Sequence, residues 1–192
     1  MFLAKTKKCI GLMIFAKPKQ KYLRRILLGI LVFLTAMAQN ASWLPVLYGA
    51  RAFALIPLVA AIAFYDHPVA AVLYGALAGV LWDAMSPAGG FHGIYLALVA
   101  FLCAVCMRYF LNRNFVTIAI LSLSTIALYL VVRWFITYAA LPGLDAAQIL
   151  YPLWRYALPD LGYTMLFTPL MFTLVHAIVQ RTSKKQQKVL AE

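Results

Sequence analysis

The sequence predicts an all-α polytopic membrane protein with six transmembrane helices and with the N-terminus and the C-terminus in the cytoplasm. The 192 residues are 65% hydrophobic and only 11% charged, whereas a soluble domain is near half apolar and a quarter charged. Apolar runs of membrane-crossing length recur along the chain, and lysine and arginine collect in alternate connections. This pattern argues against a soluble enzyme and, despite a net charge of +12, against a nucleic-acid binder.

Residues 1–25 form a basic segment that precedes the first apolar run. They contain eight lysines or arginines and no acid, interspersed with short apolar patches. This composition predicts an arm that lies on the anionic inner leaflet of the membrane. The same segment is also compatible with an unstructured basic tail or with initiation at Met13.

The transmembrane domain is predicted at residues 26–180, where six apolar spans follow one another. Their approximate bounds are 26–47, 52–65, 69–85, 91–110, 115–138 and 156–179. The second span is short, so we expect it to tilt little or to thin the bilayer. Pro169 predicts a kink in the sixth span. Residues 181–192 then form a basic cytoplasmic tail.

The distribution of lysine and arginine predicts the orientation of the chain. With the N-terminus in the cytoplasm, fourteen of these residues fall on the cytoplasmic side and three on the external side. All four tryptophans then fall at the outer ends of spans, as expected of an interfacial aromatic belt. We therefore expect a multi-pass protein with both termini inside.

The third span carries small residues in a stripe that ends in an acid. Gly75, Gly79 and Asp83 are spaced four residues apart and therefore lie along one face of a helix. Small residues allow another helix to approach closely, either from within this protein or from a partner. A Ser-Pro-Ala-Gly-Gly segment follows and predicts a tight turn, in which Gly89 and Gly90 supply backbone freedom.

Asp83 is a candidate functional residue because a carboxylate inside an apolar span is costly unless it has a partner. A structural role and a contact with a partner protein or ligand both stay open. His92 follows the predicted turn, and we expect it to be an interfacial hydrogen-bonding residue rather than a metal ligand.

Three arginines and three aspartates fall in the predicted outer layer, so its charges are nearly balanced. Arg133 in the fifth span and Asp160 in the first turn of the sixth lie at a depth similar to that of Asp83. We predict that Asp83 and Arg133 pair, with Asp160 as the competing partner, because a paired charge is tolerated far better than a lone one. For Asp160 the helix dipole alone is a sufficient explanation.

The sequence contains none of the common motifs of zinc proteases, P-loop proteins, serine hydrolases or dinucleotide-binding proteins. Cys103 and Cys106 form a CxxC within an apolar span. We interpret them as small residues on a helix face rather than as a redox or metal site. We therefore expect no enzymatic activity, no cofactor and no metal.

The stretch from Gly75 to Phe110, GALAGVLWDAMSPAGGFHGIYLALVAFLCAVCMRYF, resembles the core of the MreD family of bacterial rod-shape-determining membrane proteins. That family shows a glycine-rich helix ending in Asp, a short turn of Ser, Gly and Pro, a Gly that opens the next span, and a basic inner end. The matching positions are Gly75, Gly79, Asp83, Ser86, Gly89, Gly93, Arg108 and Arg113. The long basic N-terminal arm and the bulky Phe91-His92 pair depart from the usual form.

The resemblance implies a non-enzymatic scaffold in the bacterial cytoplasmic (inner) membrane. MreD-like proteins work with MreC, a bitopic protein with an external domain, and link the MreB filament to peptidoglycan synthesis by RodA and a class B penicillin-binding protein. For this chain the resemblance implies partner contacts through helix faces, short loops or basic tails. The tails would meet acidic membrane lipid or an acidic filament surface, and no nucleic acid is expected.

The alternative is a small-molecule-binding subunit of an energy-coupling-factor importer, since such subunits are also six-span proteins of this size. A binding subunit needs an outward-facing cavity with convergent polar groups. The residues available for one are Gln39, Asn40, Asp83, His92, Arg133 and Asp160. A self-paired polar layer favours the scaffold, whereas a solvent-open pocket favours the binding subunit.

Overall fold

The computed structural model describes residues 18–41, 51–86, 90–109, 115–139 and 151–191, which contain helices and no β-strand. The helices are α1 (Pro18–Asn40), α2 (Leu55–Tyr65), α3 (Pro68–Met85), α4 (His92–Tyr109), α5 (Phe115–Trp134) and α6 (Leu158–Ala191). One π-helical segment, Phe135–Ala139, continues α5, and another, Leu153–Ala157, leads into α6. Five of the helices in these ranges are long and apolar enough to cross a membrane. The prediction of an all-α polytopic membrane protein is confirmed.

Some predicted features lie outside the described residues, namely residues 1–17 of the basic arm, Gly89, Arg113 and Asp145, the third aspartate of the predicted outer layer. The side chains of the basic tail from residue 183 onwards are outside them as well. In the described helices, α1 includes residues 18–25 of the predicted arm, and α6 continues through the predicted tail to Ala191. The boundaries expected at residues 25 and 181 are therefore not helix ends.

Successive helices run in opposite directions between two ends of the bundle, which we call the Arg24 end and the Asp83 end. The first turns of α1, α3 and α5 and the last turns of α2, α4 and α6 form the Arg24 end. At the Asp83 end, the Asn40 side-chain amide of α1 lies 3.7 Å from Met85 Sδ of α3. The start of α1 and the end of α6 thus share one end, as the predicted orientation requires.

Helix α2 is the centre of the bundle. Its sequence, LIPLVAAIAFY, has no charged residue, and all eleven of its residues are buried. A helix that is apolar all round is stable only when other helices surround it. The other five helices all pack against α2, and its largest fully buried side chains include Leu58 and Ile62.

The second span differs in form from the helix that we predicted. An 11-residue helix is roughly 16 Å long, about half of a 30 Å hydrocarbon layer. Residues 51–53, which are not helical, precede it and are part of the same crossing. A non-helical residue covers up to about 3.5 Å, so a few of them replace several helical ones. The second span therefore combines a short helix with non-helical backbone.

Side chains from α1 and α6 bind the backbone N–H groups of this non-helical stretch. Asp160 Oδ1 accepts from the N–H of Arg51 at 2.8 Å, and Thr164 Oγ1 accepts from the N–H of Phe53 at 3.2 Å. Gln39 Oε1 accepts from the N–H of Leu55, the first residue of α2, at 3.1 Å. Such acceptors are needed because lipid offers no hydrogen bonds to exposed backbone.

The other terminus of α2 is bound at the Arg24 end. Arg24 Nη2 donates to the carbonyl oxygen of Tyr65 at 3.3 Å and lies 3.1 Å from Asp66 Oδ1. A cation is favourable at this position because the last carbonyls of a helix have no partner within the helix. The hydroxyl of Tyr65 lies 2.6 Å from His176 Nδ1 of α6. Both termini of α2 are thus attached to the long helices around it.

The small-residue stripe of α3 packs against α4 of the same chain. A Cβ atom added at Gly75 would lie 2.8 Å from the Cβ of Ala100 and would also clash with the carbonyl of Leu96. A Cβ added at Gly79 would clash with the backbone of His92 and Gly93. We considered that this stripe packs either within the protein or against a partner. The structure shows that it packs within the protein.

We expect Gly79→Ala to lower the free energy of unfolding by about 1 to 3 kcal/mol or more, because α3 and α4 must separate to admit the methyl group. Gly162→Ala is the matched control, since a Cβ at Gly162 in α6 meets nothing within 4 Å. The control should be neutral or gain up to about 1 kcal/mol from better helix propensity. Denaturant unfolding of the purified proteins in detergent measures both, and equal loss in the two variants would contradict the packing described.

We expect Thr164→Val to lower the free energy of unfolding by about 1 to 3 kcal/mol, because the buried N–H of Phe53 loses its acceptor while the side-chain shape is kept. Thr173→Val is the control, because Thr173 is exposed and its hydroxyl donates only to Leu170 of its own helix. The same unfolding measurement applies. A Thr164 variant as stable as the Thr173 variant would show that the N–H of Phe53 does not depend on α6.

Candidate functional site

The candidate site is the polar cluster at the Asp83 end, where α3 turns into α4 beside α5. Asp83 lies in the last turn of α3. It is on the same face as Gly75 and Gly79, and this face packs against α4. The close packing of the two helices therefore brings its carboxylate over the first turn of α4. From α5, Tyr129 reaches the same cluster.

The carboxylate of Asp83 accepts hydrogen bonds from the start of α4. Its Oδ2 accepts from the N–H of Gly93 at 3.0 Å, and its Oδ1 lies 3.4 Å from the N–H of His92 and 2.6 Å from His92 Nδ1. The first N–H groups of a helix have no acceptor in the helix itself and favour a negative charge. Asp83 thus caps α4 from the neighbouring helix.

The imidazole of His92 has a partner at each of its nitrogens and stacks on two aromatic rings. Its Nε2 lies 3.0 Å from the hydroxyl of Tyr129. The ring stacks on Trp82 with centroids 4.2 Å apart and on Phe91 with centroids 5.4 Å apart. The result is a continuous chain of hydrogen bonds from Asp83 through His92 to Tyr129, enclosed by aromatic rings.

Gly90 is the residue that makes room for this chain. A Cβ atom at this position would lie 2.5 Å from His92 Nδ1 and 2.8 Å from Asp83 Oδ1. Both atoms belong to the hydrogen bond that joins the two helices, so neither is free to move aside. The glycine therefore permits close approach of side chains, while its neighbour Gly89 lies outside the described residues.

Among the described residues, Asp83 pairs with His92 and not with Arg133, the partner that we predicted. Arg133 is exposed, and its Cζ lies 5.5 Å from the centroid of the Phe53 ring. Asp160, the predicted competitor, accepts from the N–H of Arg51. The spacing of nine residues between Asp83 and His92 was the available signal, because a tight turn after one helix brings the start of the next beside its end.

The polar side chains considered for a ligand pocket all have partners within the chain. Gln39 accepts from Leu55, while the Asn40 amide donates to the carbonyl of Ala36 at 2.9 Å. The other four are those just described: Asp83 and His92 bind each other, Asp160 binds main chain, and Arg133 lies over an aromatic ring. Apart from the exposed Arg133, these polar side chains are therefore paired within the described part of the chain.

The order of carboxylate, imidazole and hydroxyl in this site is one that activates nucleophiles in enzymes. Here the terminal hydroxyl belongs to Tyr129, whose exposed fraction is 1%. The Asp83 and His92 side chains are 24% and 12% exposed. The hydroxyl that would act as the nucleophile is thus the least accessible of the three groups. The three side chains come from α3, α4 and α5, so their hydrogen bonds join these helices. Within the described residues, no group of three or more metal-ligating side chains occurs.

Comparison of the chain with protein-family models, with curated proteins and with solved structures finds no match in any of the three. The case for a function therefore rests on the sequence and on the geometry of the Asp83 end.

We expect Asp83→Asn and His92→Gln each to lower the free energy of unfolding, and the double variant to lose less than the two losses added together. Two groups in direct contact are coupled, typically by about 0.5 to 3 kcal/mol. The measurement is a double-mutant cycle by denaturant unfolding in detergent. Additive losses would mean that the 2.6 Å contact contributes no coupling.

Proposed function

We propose that this chain is a non-enzymatic membrane scaffold of the bacterial cell-elongation machinery, located in the cytoplasmic membrane. The observation that supports a scaffold over a ligand-binding subunit is the self-paired polar layer at the Asp83 end. A binding site for a small molecule needs convergent polar groups that are free to meet it. Here Asp83, His92, Asp160 and Gln39 bind other segments of the chain instead.

Of the residues that carry the resemblance to the MreD family, Gly75, Gly79, Asp83, Gly93 and Arg108 lie in the α3–α4 hairpin. Gly75 and Gly79 allow the two helices to touch, and Asp83 caps α4 through the N–H of Gly93. Each of these residue types is needed for a physical reason that can be stated at its position. This supports interpreting the resemblance as a shared hairpin rather than as a chance run of small residues.

The proposed partners are an MreC-like bitopic protein and, through it, an MreB-like filament, RodA and a class B penicillin-binding protein. Because α4 already covers the glycine stripe of α3, a partner helix has to use another face. Leu73, Leu77 and Val80 are exposed apolar residues of α3. Helices associate in membranes through van der Waals packing of such faces.

We expect affinity purification of the tagged protein from its native membranes, in mild detergent, to enrich a bitopic protein with an external domain and enzymes of cell-wall elongation. Mass spectrometry identifies them. Gly79→Ala should reduce their recovery because it displaces the hairpin, whereas Gly162→Ala should retain it. Solubilised amounts are matched before the comparison.

Enrichment of ATPases and a transmembrane coupling subunit would instead indicate an importer and contradict the scaffold. In that case a transported small molecule would have to displace the hydrogen bonds of the polar layer. Equal recovery of partners by the two glycine variants would show that partner binding does not depend on the α3–α4 hairpin.

A further inference from the structure

The Asp83 end carries exposed arginines that the nearby acids do not neutralise. Arg51, Arg133 and Arg155 are all exposed. In the part of the chain that the structure describes, none of the three is ion-paired with a carboxylate, because Asp83 pairs with His92 and Asp160 accepts from a main-chain N–H. The charge balance that composition suggested for this layer is therefore absent among the described side chains.

Two of these arginines are close to Phe53, Arg51 along the chain and Arg133 in space. Arg51 lies two residues before Phe53, and its main chain is fixed by the 2.8 Å hydrogen bond to Asp160. The guanidinium of Arg133 lies over the Phe53 ring, with Cζ 5.5 Å from the centroid. The N–H of Phe53 binds Thr164, one turn along α6 from Asp160, so Asp160 lies in the same region as the two arginine residues. Two positive charges and one negative charge leave this region cationic.

The pair lies at the end of the bundle that carries exposed aromatic side chains next to helix termini. Arg133 is next to Trp134 in the last turn of α5. Trp154 and Tyr156, in the π-helical segment that leads into α6, are 67% and 55% exposed. Exposed tryptophan and tyrosine at the ends of membrane-spanning helices are typical of the interface between lipid and water.

We propose that Arg51 and Arg133 bind the phosphate of an anionic lipid headgroup in the leaflet at the Asp83 end. A guanidinium presents paired donors that match phosphate oxygens, and two of them clamp one phosphate. Phe53 holds the guanidinium of Arg133 by a cation–π contact, and Asp160 holds the backbone of Arg51. This site is independent of the proposed scaffold function, since either a scaffold or an importer subunit accommodates it.

The test places the purified full-length chain in phosphatidylcholine nanodiscs that contain increasing fractions of phosphatidylglycerol with brominated acyl chains. Bromine quenches tryptophan fluorescence at short range, and the described residues Trp82, Trp134 and Trp154 all lie at the Asp83 end. With Trp43 replaced by Phe, the readout reports lipid at this end and not at the Arg24 end. Brominated phosphatidylcholine serves as the reference lipid.

We expect half-maximal quenching of the wild-type chain at a several-fold lower fraction of brominated phosphatidylglycerol than of brominated phosphatidylcholine. Arg51→Gln/Arg133→Gln should lose about tenfold in apparent affinity for the anionic lipid, since two charge-assisted contacts are removed. Arg108→Gln is the matched control and should behave as wild type. Arg108 is also exposed and lies 6.0 Å from an aromatic ring, but at the Arg24 end.

Arg51→Lys/Arg133→Lys, which keeps both charges but loses the paired donors, should give an intermediate affinity and guards against misfolding of the Gln variant. Equal quenching of the wild-type chain by the two lipids would overturn the proposal, as would a Gln variant that keeps the preference. Competition by inorganic phosphate at equal concentration would assign the site to free phosphate instead. Displacement of the lipid by a polyglutamate peptide at lower concentration would assign it to an acidic protein segment.

Discussion

The fold depends on supplying hydrogen-bond acceptors to backbone N–H groups that cross a membrane outside a helix. The stretch before α2 is apolar enough to be buried, yet it lacks helical hydrogen bonds. Burial of an unpaired N–H costs several kcal/mol in lipid, roughly the scale of the whole folding free energy. Gln39, Thr164 and Asp160 meet this requirement from α1 and α6, and so they determine where those two helices lie relative to α2.

The described aspartates bind groups at the ends of helices or in the stretch before α2. Asp160 and Asp83 each accept from main-chain N–H groups of another segment, and Asp66 pairs with the arginine that binds the last carbonyl of α2. An acid used in this way costs less in a membrane than a free one because its charge is compensated. Such an acid is also less available to bind a ligand, which supports the proposed scaffold.

The sequence predicted the elements whose signal is local. Helices α3 and α4 begin and end within one residue of the expected bounds, because Pro68, the glycine turn and the apolar periodicity lie in the stretch itself. The role of Gly75 and Gly79 in close packing followed from their spacing. The partner of Asp83 did not, because depth along a span says nothing about which neighbour a helix faces. The length of α2 also escaped prediction, since an apolar run of fourteen residues does not reveal where helical hydrogen bonding starts.

The order of synthesis matters because two acceptors for the non-helical stretch before α2 come late in the chain. Asp160 and Thr164 lie more than one hundred residues downstream of the N–H groups that they bind. While the ribosome is still producing α5, the stretch before α2 lacks those two acceptors. Gln39 of α1, which binds the first residue of α2, is already present. The nascent chain therefore holds its central helix in an incomplete environment until α6 enters the membrane. Translation of the last helix is thus the step that closes the bundle, and a chain that ends before it presents unpaired backbone for quality-control proteases to recognise.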